Sequence, residues 1–400
     1  MCDAGDSIEY AYLWSRNSPP SSTFIRQWEA ECEGRLRFSE LRNMFALSDC
    51  WSWTTRMMSG GMRFSKSGLL RRSLCSVGDA KAMYVRFAGM LLDPPPKVVR
   101  SLQRIAADSN ADVVQVDYPW MVRFPRCLPR TTPRVFVVHE LQSSIIQQLY
   151  PGDAEMLRIA RRLEVETLRE YDAVITLCDE DAQVLTHEHG LQNVVVSPLA
   201  IQGITAESTS TEEFELRTPL RFTFLGGHSH SPNADAVRWL HTEIAPLIFQ
   251  DMPDAIIRIV GSYPQSFQQD LASDRFQFAG FVDDVDAELR GSIFLCPLRI
   301  GSGMRIKILD AIRAGVVVLS TTLGARGLGL RDEQDVLLCD SAGAFAAKAK
   351  TLSADAIRYS RIAQNARRRV GERFSAEVVG QVRHQLLNEV VERFRQLQRA

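Results

Sequence analysis

Downstream of residue 112 the chain alternates short apolar runs with amphipathic stretches, and this alternation limits its fold more than any other feature. DVVQVD (112–117), VFVVH (135–139), AVITL (173–177) and VVVSP (194–198) read as buried strands. The segments between them have helical patterning, as in 154–171, which carries many charges on one face. Strands that alternate with helices imply a parallel sheet covered on both sides. A second series opens with RFTFLG (221–226) and continues through AIIRIVG (255–261), RFQFAG (275–280), SIFLCP (292–297) and VVVLS (316–320). After its first strand, Val237, Leu240, Ile244, Leu247 and Ile248 fall on one helical face, and Pro232 and Asn233 mark the helix start. The class is α/β, built twice.

Between the two series lies GITAESTSTEEFELRTP (203–219), rich in Ser, Thr and Glu, which reads as a linker. A chain of 400 residues exceeds one ordinary core. The expected organisation is an N-terminal domain over 1–205, a linker over 206–219, a second domain over 220–375, and a C-terminal helix over 376–400 that can cross back to the first. The formal net charge of −1 implies no general affinity for nucleic acid. None of the eight cysteines forms a CxxC pair, and none lies in a Cys/His cluster with zinc spacing, so they read as free thiols of a reducing compartment. The start, MCDAGDSIEY, lacks the apolar stretch of a signal peptide. No apolar run reaches the roughly 18 residues of a spanning helix. A cytoplasmic location is expected. Within 51–72, Trp51, Trp53, Met57, Met58 and Phe64 are interleaved with Arg56, Arg63, Lys66, Arg71 and Arg72. Such a segment suits either a basic loop or a patch that lies on an anionic membrane surface.

The segment PLRIGSGMRIKILDAIRAGVVVLSTT (297–322) carries the most chemistry. It reads as strand end, glycine-containing loop, helix from near Met304, stop at Gly315, and strand. Gly301, Ser302 and Gly303 let backbone approach a ligand closely. A helix N-terminus offers amide donors and a positive dipole end, which suit a phosphate. Arg305 and Lys307 stand in the first turn, where the dipole disfavours cations unless an anion joins them. Asp310, about one turn further, can accept hydrogen bonds from ribose hydroxyls or pair with Lys307.

Taken in order, FLGGHSHSPNADAVRWLHTEIAPLI, IRIVGSYP, FAGFVDD and CPLRIGSGMRIKILDAIRAGVVVLSTTLGARGL resemble the donor domain of the group 1 glycosyltransferases, also called family 4. DVVQVD, VFVVHE and YDAVITLCDED give a weaker match to the preceding domain. The resemblance implies a GT-B architecture, two facing Rossmann-like domains with parallel sheets. It further implies metal-independent transfer, with retention, from a UDP-, GDP- or other nucleoside diphosphate sugar to a glycan, lipid-linked or other acceptor. Gly226 and Gly227 match the loop after the first donor-domain strand, and Phe281 and Val282 match the stretch against the base. Arg305 and Lys307 match the basic positions that face the pyrophosphate. Asp310 falls at the ribose-binding glutamate, and His139 at a histidine close to the transferred sugar.

The chain departs from that pattern at Ser302, where the family commonly has a glutamate, and at His228, Ser229 and His230, where a basic pair is usual. SIEYAYLWSRNSPPSSTF also lacks the glycines of the family's first loop. Three alternatives share these features: an inverting transferase, a sugar-nucleotide epimerase, and a non-catalytic partner subunit with the same fold.

Overall fold

The computed structural model describes residues 8–12, 36–40, 96–108, 111–117, 119–205 and 216–399. The basic aromatic segment 51–72 and most of the expected linker lie outside these residues. Two compact units divide the chain. One comprises the described residues up to Thr176 together with 182–195 and 380–399, and the other comprises 177–181 and 196–379. The long C-terminal helix Ala376–Arg399 thus begins in the second unit and runs on in the first.

The first unit holds β1 (Ile8–Tyr12), parallel to β2 (Leu36–Glu40), and a separate four-stranded sheet. That sheet runs in the order β3 (Val114–Asp117), β4 (Arg134–Val138), β5 (Ala173–Thr176), β6 (Val194–Val196), with β3, β4 and β5 paired in parallel. Every residue of β4 and β5 is buried, as expected of a sheet covered on both faces. Helix Ala154–Leu168 buries Met156, Ile159, Ala160, Leu163 and Thr167, the helical spacing visible in the sequence. Its first turn is capped by the Asp153 carboxylate, which accepts from the Met156 amide at 2.9 Å.

The second unit is built on a six-stranded sheet whose strands pair in parallel. These are β7 (Arg221–Leu225), β8 (Ile256–Val260), β9 (Phe276–Gly280), β10 (Ser292–Cys296), β11 (Val317–Ser320) and β12 (Leu337–Leu338). Their spatial order is β12-β11-β10-β7-β8-β9. The chain builds outward from β7 through β8 to β9, returns to the other side of β7, and builds outward again from β10. The reversal leaves a crevice at the C-terminal ends of β7 and β10, where ligands of such sheets bind.

The helix after β7 begins at Ser231 and passes through a π turn over Leu240–Ile244 before ending at Asp251. Val237, Leu240, Ile244 and Ile248 are fully buried, but Leu247 is exposed. The extra residue in the π turn advances the downstream phase and rotates Leu247 off the buried stripe. Among the described cysteines, Cys178, Cys296 and Cys339 are free and buried and Cys127 is half-buried. Burial pushes the Cys178 and Cys339 thiols up to about 12.

Candidate functional site

The glycine turn after β7, the helix that follows it and the loop after β10 meet at the switch point of the second sheet. Gly226 has φ 150°, and a Cβ there would lie 2.7 Å from both Asn233 Nδ2 and Lys307 Nζ. Only glycine lets the main chain come so close to these side chains. Asn233, buried in the first turn of helix Ser231–Trp239, joins the two segments. Its Nδ2 donates to the Gly227 carbonyl at 2.9 Å, and its Oδ1 accepts from Lys307 Nζ at 2.5 Å. The Lys307 ammonium also lies 4.7 Å from the centre of the Phe224 ring of β7. None of these partners is a carboxylate. Although the side chain is partly accessible, burial of its ammonium lowers the pKa to about 8, with a smaller contribution in the same direction from Arg305.

The loop after β10 is closely packed: Gly301, Ser302, Gly303, Met304 and Arg305 are all buried. Gly301 and Gly303 have φ 135° and 73°. Helix Ile306–Arg313 starts two residues later than the sequence suggests, with Arg305 as its N-cap. The Arg305 guanidinium turns back and donates through Nη1 to the carbonyls of Ser302 and Gly303, holding the loop that it was expected to assist. The Gly303 amide is engaged as well, donating to Asp181 Oδ2 at 2.8 Å. Asp181 is 1% exposed, and burial pushes its pKa up against the lowering effects of Arg326 and the Gly303 amide. Its neighbour Glu180 accepts from the Gly327 amide at 3.1 Å.

Asp310 stands one turn beyond Lys307, but its ionic partner is Arg313, at 3.3 Å, which also binds Asp286 at 2.8 Å. Burial raises the Asp310 pKa and Arg313 opposes that shift. Phe281 and Val282 follow the end of β9. Phe281 is 85% exposed, and Val282 is half-buried. They are tied to the turn because Gly261 donates to the Gly280 carbonyl at 2.8 Å, and a Cβ on Gly261 would lie 2.5 Å from the Gly226 carbonyl oxygen. The His228 ring, next to the turn, packs 4.9 Å from that of Phe267.

In the first unit, His139 follows β4 and its Nε2 lies 2.9 Å from Oδ1 of Asp117, the last residue of β3. Asp117 also accepts from Gln115 at 3.0 Å. Adjacent parallel strands bring their C-terminal ends side by side, which pairs these residues. The loop after His139 enters helix Gln142–Leu149, whose first two amides donate to the buried Glu164 carboxylate. Sequence reasoning passed over Asp117, Asp181 and Asn233 as polar partners. Asn233 carried only a helix-start signal, Asp117 only its place at the end of a strand, and Asp181, in the short helix Asp179–Gln183 after β5, no local signal.

Two family models match the chain, Glycosyl transferases group 1 over residues 219–355 and Glycosyl transferase 4-like domain over 69–200. The chain belongs to the group 1 glycosyltransferases. Solved structures of low identity share its GT-B fold. A variant of TarM from S. aureus, in complex with fondaparinux, alpha-GlcNAc-glycerol and UDP, aligns with a TM-score of 0.61 at 14% identity, over 73% of this chain and 58% of that one. Sucrose-phosphate synthase of Thermosynechococcus elongatus gives 0.60 at 16% identity, over 78% of this chain and 80% of that one. Anabaena HepE in complex with UDP and glucose gives 0.59 at 12% identity, over 91% and 88%. A Klebsiella pneumoniae protein described as an uncharacterized 44.6 kDa protein in the cps region is 24% identical over 133 residues, covering 31% of this chain and 34% of the relative. The chain therefore spans about a third of that relative's length and less than two thirds of TarM's. Among the described residues of this glycosyltransferase-family chain, no helix is long and apolar enough to cross a membrane.

Proposed function

We propose that this protein transfers a sugar, with retention and without a metal ion, from a nucleoside diphosphate sugar to an acceptor hydroxyl in the synthesis of a cell-surface polysaccharide or glycoconjugate. The observation that carries the reading is the convergence of Lys307, Asn233, the Gly226–Gly227 turn and the 301–305 loop at the switch point of the second sheet. This is a compact place for a diphosphate, with a cation held among neutral groups. Breaking the anomeric bond leaves an oxocarbenium-like sugar and a departing diphosphate, and preorganised cations and amides stabilise that leaving charge. Lys307 supplies a point charge, while Arg305 fixes the loop and adds its positive field. The base would lie toward Phe281 and Val282, and the ribose toward Asp310. His139, held by Asp117, would contact the transferred sugar. A titration panel of UDP- and GDP-sugars by calorimetry tests the reading: at least one should bind without added metal and in the presence of chelator, and binding of none would overturn it.

The polysaccharide assignment is supported by the cps-region relative, and the sugar-nucleotide assignment by neighbours solved with UDP. A histidine held by a carboxylate is also the arrangement of a general base, which would favour inversion. The anomeric configuration of the product, read by NMR, separates the two outcomes. The acceptor is proposed to be a glycan or lipid-linked molecule at the cytoplasmic face of a membrane, reached through the cations and aromatics of 51–72. Binding to anionic vesicles that is lost at high salt supports that placement. Equal binding to neutral vesicles, or no binding at low salt, refutes it.

A further inference from the structure

We propose that Asp181 is a positioning residue of the donor loop, a buried carboxylate that fixes Gly301–Gly303 in the conformation that receives the diphosphate. The inference rests on the donor reading given above. Three observations carry it. Asp181 is 1% exposed, and Oδ2 accepts the Gly303 amide at 2.8 Å although the two residues are far apart in the chain. Its Oδ1 is buried without a hydrogen-bond partner among the described residues, with Arg326 Nη2 3.8 Å away. The segment bearing it is held in place independently, because Glu180 accepts the Gly327 amide and a Cβ on Gly327 would lie 2.7 Å from Cys178 Cβ.

A half-satisfied buried carboxylate is an unfavourable choice for stability alone, and an apolar side chain of similar size would serve a purely packing role as well or better. What an apolar side chain cannot do is hold an amide. Gly303 has φ 73°, and with no side chain of its own it has little to choose between backbone orientations. Asp181 from outside the loop and Arg305 from its C-terminal end hold the Ser302–Gly303 stretch, one accepting the Gly303 N–H and the other donating to both carbonyls. Together they pin the peptide planes, so the loop need not be ordered when donor binds. Removal of the Asp181 contact should therefore weaken donor binding while leaving acceptor recognition and global stability in place.

The test compares Asp181→Leu, which fills the space without an acceptor, with Asp181→Asn, which keeps a carbonyl oxygen for Gly303. Hydrogen exchange of the peptide that covers 301–305 is measured without ligand, and donor KM, acceptor KM and melting temperature are measured alongside, with Lys307→Ala as a reference. The expected results for Asp181→Leu are exchange in that peptide faster by roughly tenfold, a donor KM raised by about tenfold, an acceptor KM within about twofold, and an unchanged melting temperature. Asp181→Asn should restore most of the protection and the KM. Unchanged exchange and donor KM in Asp181→Leu, while Lys307→Ala loses donor, overturns the role of Asp181 and leaves the donor reading standing. A melting temperature that falls together with both KM values assigns Asp181 to the structure alone and overturns it equally. Absence of nucleotide-sugar binding by the unsubstituted protein overturns the donor reading itself, and the exchange measurement still reports whether Asp181 holds the loop.

Discussion

Replacing Lys307 with Met keeps most of the side-chain stem and removes the charge, which separates the binding role of this residue from its structural one. Burial lowers the ammonium pKa from 10.5 to about 8. At 1.36 kcal/mol per unit, carrying that charge costs the free protein about 3 kcal/mol. The folded pKa lies below the unfolded one, so the cost is fully present below pH 8 and fades as pH rises toward 10.5. The substitution relieves it, but leaves Asn233 Oδ1 without its donor, at about 1–3 kcal/mol, and removes the contact with Phe224, at about 0.5–2 kcal/mol. These contributions nearly cancel, and the melting temperature at pH 7 should move by only a few degrees. Donor binding has no such compensation. A charge-assisted hydrogen bond to phosphate contributes about 1.5–3 kcal/mol, so the dissociation constant should rise roughly 10- to 150-fold. The unsubstituted protein makes a second, independent prediction. Below pH 8 Lys307 is already charged and affinity is flat, whereas above it binding must take up a proton, and affinity should fall by up to about tenfold per unit. Calorimetry with a nucleoside diphosphate sugar from about pH 7 to 9 measures both effects. A pH-independent dissociation constant, or a Met variant that binds as well as the parent, refutes the placement of the diphosphate at Lys307.

Gly226→Ala would place a methyl 2.7 Å from Asn233 and Lys307 at a φ of 150°, so donor affinity should fall by roughly tenfold or more as both side chains are displaced; unaltered affinity and melting temperature would mean that the turn yields freely and the close approach is incidental. Asp310→Asn weakens one partner of Arg313, which keeps Asp286, so the melting temperature should shift little while donor affinity drops about tenfold through the lost ribose contact; a marked fall in melting temperature with affinity untouched assigns Asp310 to the ion-pair network instead. Asp117→Asn loosens His139, and turnover should fall roughly tenfold or more with donor affinity nearly constant; equal turnover would remove Asp117 and His139 from the chemistry.

Much of the fold was legible because its signals are local. The buried strands of a covered parallel sheet are near-continuous apolar runs, and β4, β5, β7, β8, β10 and β11 could be read directly from VFVV, AVIT, RFTFL, IIRIV, SIFLC and VVLS. β12 was missed because two residues carry no periodicity. The π turn at Leu240–Ile244 was missed because an inserted residue leaves composition unchanged and alters only the phase that follows. Gly301, Arg305, Lys307 and Asp310 stand out for the same local reason, since a glycine loop at a helix start is contiguous in the chain, whereas Gly226 is marked only by the family resemblance.

What the sequence alone determined is thus an α/β chain built twice, with a cation-bearing loop at the head of one helix. Which groups those cations face was decided by tertiary structure. Lys307 could have paired with Asp310 one turn away, but the sheet order sets β7 beside β10 and offers it Asn233 and Phe224 instead. Arg305 faces its own loop carbonyls, and the Gly303 amide is held by an aspartate more than a hundred residues earlier. His139 and Asp117 meet only because their strands are neighbours in a parallel sheet. Spacing along a chain fixes contacts within a turn or a helix, whereas contacts between elements depend on sheet order, which arises from burying all the strands at once.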